Sequence, residues 1–326
     1  AQGKYLAFLD ADDLLIPDAL EKMFDRAEHD HSEVVMINAI RFDSKKESQA
    51  GIHRYAFRDL EGVTDAKESP QIIYDTVSWD KLIRRDFWER NKLEYPPTSL
   101  YEDIPVMTRA LLRAERVSVI RSIGYKWRFR ELESKATSQK RREVENMRGR
   151  LAILRDLDKM YDEEVSDENI LFEKQIKALR IDLKIYSHAC IDMERSKAEI
   201  YMREIGAYIR ESISDRAMQM ISPVDKAMYE AMLQGDLDRF IRLADFSKNK
   251  TKECLALEKD GAVYLKVPAD LFGAELLDNT LNIRARTPKV RVVGVESHKG
   301  VMRFKTQLYF DKLNIAYPED QEIFAA

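Results

Sequence analysis

The 326 residues suffice for about two domains of roughly 100–200 residues each, so a modular chain with real cores is expected. Hydrophobic residues make up 44% and charged residues 34%, and 54 Lys and Arg nearly balance 58 Asp and Glu for a net charge of -4. A slightly acidic balance has none of the basic footprint that general nucleic-acid binding requires, which sets nucleic acid aside as a partner.

Near the start, Tyr5-Leu6-Ala7-Phe8-Leu9 is a continuous apolar run that ends abruptly in acids, the pattern of an interior strand buried on both faces. Pro17 then suits a first helical turn, with Leu20, Met23, Phe24 and Ala27 at helical spacing, and Val34-Val35-Met36-Ile37 resumes as strand. Strand, helix, strand argues for an α/β fold. The polar stretch from Asp43 to Ser69 reads as loop with short strands. Leu82, Ile83, Phe87 and Trp88 suggest another helix, and Ile104, Met107, Leu111 and Leu112 a further one, before a strand at Val117-Ser118-Val119-Ile120.

From Gln139 the texture changes to long charged helices, with Val144, Met147, Leu151, Leu154 and Leu157 on one stripe and Phe172, Ile176, Leu179, Leu183 and Tyr186 on another. Ser222-Pro223-Val224-Asp225 is a helix start and Gly235 a helix stop. Beyond Lys248 the period becomes two, in Val263, Leu265 and Val267, Leu281 and Ile283, Val290 and Val292, and Met302 to Phe310. The expected order is an α/β domain over 1–138, a helical region over 139–247 and a small antiparallel β module over 248–326.

Cys190 and Cys254 fit no zinc or redox spacing, which suggests a reducing compartment. His29 and His31 flank Asp30, but the polar turn around them reads as a solvated connection rather than a metal site. No stretch approaches the roughly 18–20 apolar residues of a membrane span. The chain opens on Ala1-Gln2-Gly3-Lys4 and runs straight into a strand, so its natural start is expected to have been removed.

The chemistry concentrates in Asp10-Ala11-Asp12-Asp13. Carboxylates at a strand end can point into the crevice that open α/β sheets form there, and adjacent acids need a counter-charge. Mn²⁺ or Mg²⁺, held by one or two carboxylates and completed by phosphate oxygens, meets that need, while acids that cap a helix are the competing explanation.

The run from Gly3 to Asp13 resembles the Asp-x-Asp segment of family-two glycosyltransferases with the GT-A fold. Trp79-Asp80-Lys81-Leu82-Ile83-Arg84-Arg85 is similar to the tryptophan-x-lysine-leucine segment of that family, and Tyr101-Glu102-Asp103-Ile104 to its Glu-Asp motif. Tyr125-Lys126-Trp127-Arg128-Phe129-Arg130 resembles the segment that closes the catalytic domain, although Glu131 to Lys135 lacks the expected glycine-serine pairing. The resemblance covers residues 1–135. It implies a partial GT-A domain without the donor-base-binding start, so that the chain alone should be a poor enzyme.

The resemblance further implies inverting transfer from a UDP- or CDP-linked sugar to a glycan or polyol-phosphate acceptor, with teichoic-acid or capsular polymers favoured. Asp10 and Asp12 would hold the metal on the donor diphosphate, with Asp13 beside them, and Asp103 would be the base with Glu102 orienting the site. Which of these two neighbours is the base stays open. Trp79 would stack on a sugar or belong to the core, Lys81 would contact ligand, and Arg128 and Arg130 would clamp diphosphate oxygens or lie solvated. The implied location is the cytoplasm, including the inner face of the membrane, and self-association is a further partner to consider. The competing reading is a non-catalytic linker or oligomerisation fragment, which gains if Asp10, Asp12 and Asp103 do not converge.

Overall fold

The computed structural model describes residues 2–97, 100–129, 140–251, 254–259, 262–280, 289–298, 301–309 and 314–315. The chain folds as two compact units, Ala1–Ile185 and Tyr186–Ala326. The division falls inside the stretch read from sequence as one helical region, because helices join whichever core buries their apolar stripe.

In the first unit, β1 (Tyr5–Ala7) runs into a turn and β2 (Leu14–Leu15), followed by α1 (Ala19–Asp30) and β3 (Val34–Phe42). The segment read as loop holds β4 (Glu47–Ser48), α2 (Gly51–Ala56) and β5 (Gly62–Thr64), and a 3₁₀ turn covers Pro70–Tyr74. Then come β6 (Lys81–Arg84), α3 (Arg85–Arg90), α4 (Asp103–Arg113) and β7 (Val117–Arg128). The sheet order is β1-β6-β3-β7-β2, with β4 on β3 and β5 on β7. Among the described residues only β3 and β7 pair in parallel; every other strand pair in this sheet is antiparallel. It is the α/β arrangement expected from sequence.

Three local expectations need correction. β1 lies at the end of the sheet path with β6 as its hydrogen-bonded neighbour, and its residues are half-buried or exposed, so it is not the interior strand its apolar run suggested. Leu82 and Ile83 belong to strand β6 rather than to a helix, which begins only at Arg85; pairing with both β1 and β3 overrides the helical spacing. On α1 the buried stripe is Ala19, Met23, Ala27 and Asp30, while Leu20 and Phe24 are each 46% exposed.

The core beneath α1 joins Ala19, Met23 and Ala27 to Val35, Ile37, Leu82 and Ile120. The long β3–β7 pairing is interrupted at Asn38. There the Asn38 side chain donates to the Arg121 carbonyl (3.1 Å) and accepts from the Ala39 amide (2.8 Å) and Gln49 (2.9 Å), so the irregularity leaves few polar groups unpaired. The strand read at Val117 to Ile120 runs on through Tyr125 to Arg128 as one continuous β7.

The unit continues through α5 (Val144–Glu164), α6 (Glu168–Lys177) and a π-helical turn, and the division falls within α7 (Lys184–Ser187). Met147, Leu151, Leu154 and Leu157 are buried, as their spacing on α5 requires. Asp167 caps α6, its side chain accepting from the Asn169 and Ile170 amides.

The second unit opens with a 3₁₀ turn and the helices α8 (Arg195–Ser212), α9 (Asp215–Met220), α10 (Pro223–Gln234) and α11 (Leu237–Asp245). Ser222 and Pro223 start α10 and Gly235 ends it at φ 77°, a conformation that favours glycine, although the Ser222 side chain makes no capping bond. Strands β8 (Leu255–Lys259), β9 (Ala262–Lys266) and β10 (Leu276–Asp278), with α12 (Ala269–Phe272) between the last two, form an antiparallel set. β11 (Lys289–His298) and β12 (Val301–Tyr309) pair as an antiparallel hairpin, and β13 (Asn314–Ile315) joins β8 in parallel. Leu281, Ile283 and Phe310 lie outside the described residues.

Candidate active site

The acidic turn follows β1. Its backbone closes through the Asp13 amide, which donates to the Asp10 carbonyl (3.1 Å), and β2 then pairs with β7 at Leu14–Lys126 and Leu15–Tyr125. Asp13 is 8% exposed, and both of its carboxylate oxygens have partners. The Tyr125 hydroxyl donates to one (2.9 Å) and the Arg128 amide to the other (2.7 Å). Burial raises its pKa, the Arg128 amide and Tyr125 oppose, and the charges of Asp10 and Asp12 add to the rise. Asp13, expected among the ligand contacts, is therefore the residue that holds the turn.

The Tyr125 hydroxyl also accepts from the Asp10 amide (3.3 Å), and the Arg128 Nε donates to the Asp12 carbonyl (2.7 Å). Asp10 is thus left exposed and Asp12 half-buried at the strand end. The exposed Arg128 also lies over the Phe42 ring, 4.5 Å from its centroid. Arg130 lies outside the described residues.

Trp79 and Lys81 do not face open space. Trp79 is 8% exposed and stacks on Tyr125, with centroids 4.3 Å apart and planes at 22°, and further touches Trp127 and His53. Of its two sequence readings, the geometry fits core. The Lys81 ammonium is fully buried and pairs with Asp80 (2.6 Å) and Asp75 (2.9 Å), so it serves as an internal counter-ion rather than a ligand contact. His53 Nε2 completes the cluster at 3.1 Å from Asp80. His53, Asp75 and Asp80 bring three ligand atoms within 4.8 Å of one another, but Lys81 already supplies their cation.

Asp103 opens α4, where the backbone amides of Asp103 and Ile104 favour its charged form. Burial nevertheless raises its carboxyl to about 6, with Arg150 of α5 lowering it and Glu102 raising it. Glu102 is exposed. Tyr101 stands at φ 61°, an uncommon conformation for a bulky side chain, and is held by its hydroxyl on Asn146 (2.8 Å) and by the Arg150 guanidinium 3.8 Å from its ring centroid.

Tyr95 links the two acidic motifs. Its ring packs on Phe8, just before the Asp10 turn, and on Trp88. Its buried hydroxyl is pushed up to about 12 by burial first, with Ser78 opposing and the negative charges of Asp103, Glu102 and Asp10 all adding. The charges of Asp10, Glu102 and Asp103 thus all act on the same hydroxyl.

The sequence singled out Asp10, Asp12, Glu102 and Asp103 but not Tyr95, Arg150, His53 or Asp75. Arg150 is one of many charges on a long helix, and the others are single residues with no motif spacing. Asp10 and Asp12 offer the hard oxygen ligands that suit Mn²⁺ or Mg²⁺, with coordination left for phosphate and water.

Residues 1–91 match the family model described as glycosyl transferase family 2. Among curated proteins the chain is similar to the cholesterol galactosyltransferase of Borreliella burgdorferi, 28% identical over 135 residues that cover 38% of this chain. Those residues span 37% of that relative's length. Among solved structures, S. aureus TarS 1–349 in complex with UDP-GlcNAc superposes with a TM-score of 0.55 at 17% identity, covering 85% of this chain and 75% of that one. S. aureus TarS gives 0.55 at 16% identity, covering 94% of this chain and 50% of the other. At such identities the likeness establishes the fold, which is GT-A, and the match to glycosyl transferase family 2 is carried by residues 1–91 of its N-terminal unit.

Proposed function

We propose that this domain carries out metal-dependent, inverting transfer of a sugar from a UDP- or CDP-linked donor to a glycan or polyol-phosphate acceptor of the cell envelope, at the cytoplasmic side. The observation that carries the reading is the match of residues 1–91 to glycosyl transferase family 2, and the charges of Asp10, Glu102 and Asp103 acting on the one Tyr95 hydroxyl support the choice of acids. Solved TarS complexes with UDP-GlcNAc and UDP support the donor class, and the galactosyltransferase relative supports sugar transfer. Both cysteines are free and buried, in keeping with a reducing compartment, and no described helix is long and apolar enough to cross a membrane.

Asp10 and Asp12 would hold Mn²⁺ or Mg²⁺, which would supply positive charge to the leaving diphosphate. Arg128, exposed beside the turn, would add a charge-assisted contact to the same oxygens. Asp103 would take the proton of the acceptor hydroxyl as that oxygen bonds to the anomeric carbon and the bond to the diphosphate breaks. Its raised pKa makes it a stronger base than an ordinary carboxylate. Keeping this base separate from the metal ligands follows from chemistry, because a carboxylate bound to a cation accepts protons poorly.

The test is turnover and donor affinity, measured on this chain and on a longer protein that contains it, with a panel of UDP- and CDP-sugars and Mn²⁺. Asp12→Asn should weaken Mn²⁺-dependent donor binding. Asp103→Asn should lower transfer by roughly 100- to 10,000-fold with donor affinity nearly unchanged. Near-normal turnover in Asp103→Asn would end its assignment as base, and collapse in Glu102→Gln alone would transfer the role to Glu102. If all three substitutions leave turnover and binding intact, the acids are not the site.

A further inference from the structure

Beneath the acidic turn lies a polar cluster that the chemistry above does not use. His53 of α2, Asp75 after the 3₁₀ turn, and Asp80 and Lys81 at the start of β6 are at most 1% exposed. Two carboxylates and one ammonium at 2.6 and 2.9 Å make an ion network from which water is excluded. Burying such charges gives little net stability compared with apolar residues of similar size, so stability alone is a poor reason for the arrangement. What such a network supplies is fixed orientation, since each charge constrains its partners.

The neighbours show what is being oriented. The His53 ring lies 5.4 Å from the Trp79 ring, and Trp79 is in turn followed by Asp80 and Lys81 in the chain. Trp79 is thereby held both by the His53 ring and by the chain that runs directly into Asp80 and Lys81. The Tyr125 ring stacks on Trp79 at 4.3 Å, and Tyr125 bonds both the Asp13 carboxylate and the Asp10 amide. Contact is continuous from the Lys81 ammonium to the backbone of Asp10.

We propose that Lys81 and its partners His53, Asp75 and Asp80 are positioning residues for the donor side of the site, acting through the Trp79–Tyr125 stack to set the direction of Asp10 and Asp12. The inference rests on the reading of Asp10 and Asp12 as metal ligands. Residues that orient ligands from behind typically alter metal affinity 10- to 100-fold when changed.

The experiment compares the chain with the charge-balanced double variant Lys81→Met/Asp75→Asn, which removes one positive and one negative charge together and leaves Asp80 with its His53 partner. Asp80→Asn with Lys81→Met is a second variant of the same balance, in case the first does not fold. Mn²⁺ alone is the probe, titrated by electron paramagnetic resonance, with Asp12→Asn identifying the site. In the metal-free chain, amide NMR signals of Asp10, Asp12, Asp13 and Arg128 report the turn directly. The expected result is a folded double variant whose Mn²⁺ affinity falls roughly tenfold, and whose turn amides shift while those of the second unit do not. A folded variant with unmoved turn amides would overturn the proposal, and so would shifted amides with unchanged Mn²⁺ affinity. If Asp12→Asn leaves Mn²⁺ binding unaltered in the parent chain, the metal reading fails separately, and the turn amides alone decide whether the network positions the turn.

Discussion

The Tyr125 ring lies flat on Trp79 while its hydroxyl reaches up to Asp13, so one side chain joins the aromatic core of the sheet to the acidic turn at its edge. The turn is therefore supported by packing from below as well as by its own backbone bonds.

Removing only the hydroxyl tests that support. Tyr125→Phe keeps the stack but leaves the buried Asp13 carboxylate short of a donor, which should destabilise the fold by about 1–3 kcal/mol. Urea denaturation would show it as a lower midpoint with an unchanged slope. An unaltered midpoint would mean that water replaces the hydroxyl at no cost.

Gly124 precedes this tyrosine, and a Cβ there would stand 2.7 Å from Ile37 Cγ1 and 3.0 Å from Cγ2, closest of all to Cδ1. Ile37 is fully buried in the core under α1, with little room to yield. Gly124→Ala should therefore cost about 1–3 kcal/mol through overpacking. Adding Ile37→Val removes Cδ1 and should restore part of the loss in thermal unfolding, whereas two losses that simply add would place the strain elsewhere.

With Asp103 as the proposed base, its raised carboxyl predicts a pH dependence of transfer. A base works only when ionised, so transfer should rise as pH climbs through about 6 and level off above it. Arg150 lowers this pKa, so Arg150→Met should move the rising limb to higher pH. A limb that stays in place in that variant would show that another group governs it.

Asp75 gives a separate signature in stability. Burial first, then Asp80, pushes its carboxyl from 3.8 to about 7, with Lys81 and His53 opposing. Burial acts upward on Asp80 too, but Lys81 and His53 outweigh it and hold that carboxyl low. Because the folded protein binds the Asp75 proton more tightly than the unfolded chain, this contribution to stability is full below the ordinary value and declines until pH reaches about 7. Asp75→Asn stays neutral at every pH. The melting temperature of the variant should thus gain on that of the parent between about pH 5 and about pH 7, and a constant difference would place the proton elsewhere.

The motifs of the N-terminal region were legible because their chemistry is local: acids after an apolar run, and a Glu-Asp pair before helical spacing. The α/β class followed from periodicity in Met23, Ala27, Val34 to Ile37 and Met107, since burial of one face leaves that trace in the sequence. Leu82 and Ile83 misled for the same reason. An apolar pair suits helix or strand equally, and only the neighbours β1 and β3 made it a strand. Residue type alone could suggest that Trp79, Lys81 and Asp13 mattered, but their parts were decided by contacts with Tyr125, Asp75 and Arg128, which lie 46, 6 and 115 positions away along the chain. What the sequence by itself determined was the set of chemical groups and the periods that bury them. Which acid stays exposed and which becomes a buried anchor was settled by the tertiary structure, because the cost of burying a charge depends on partners that only folding brings within reach.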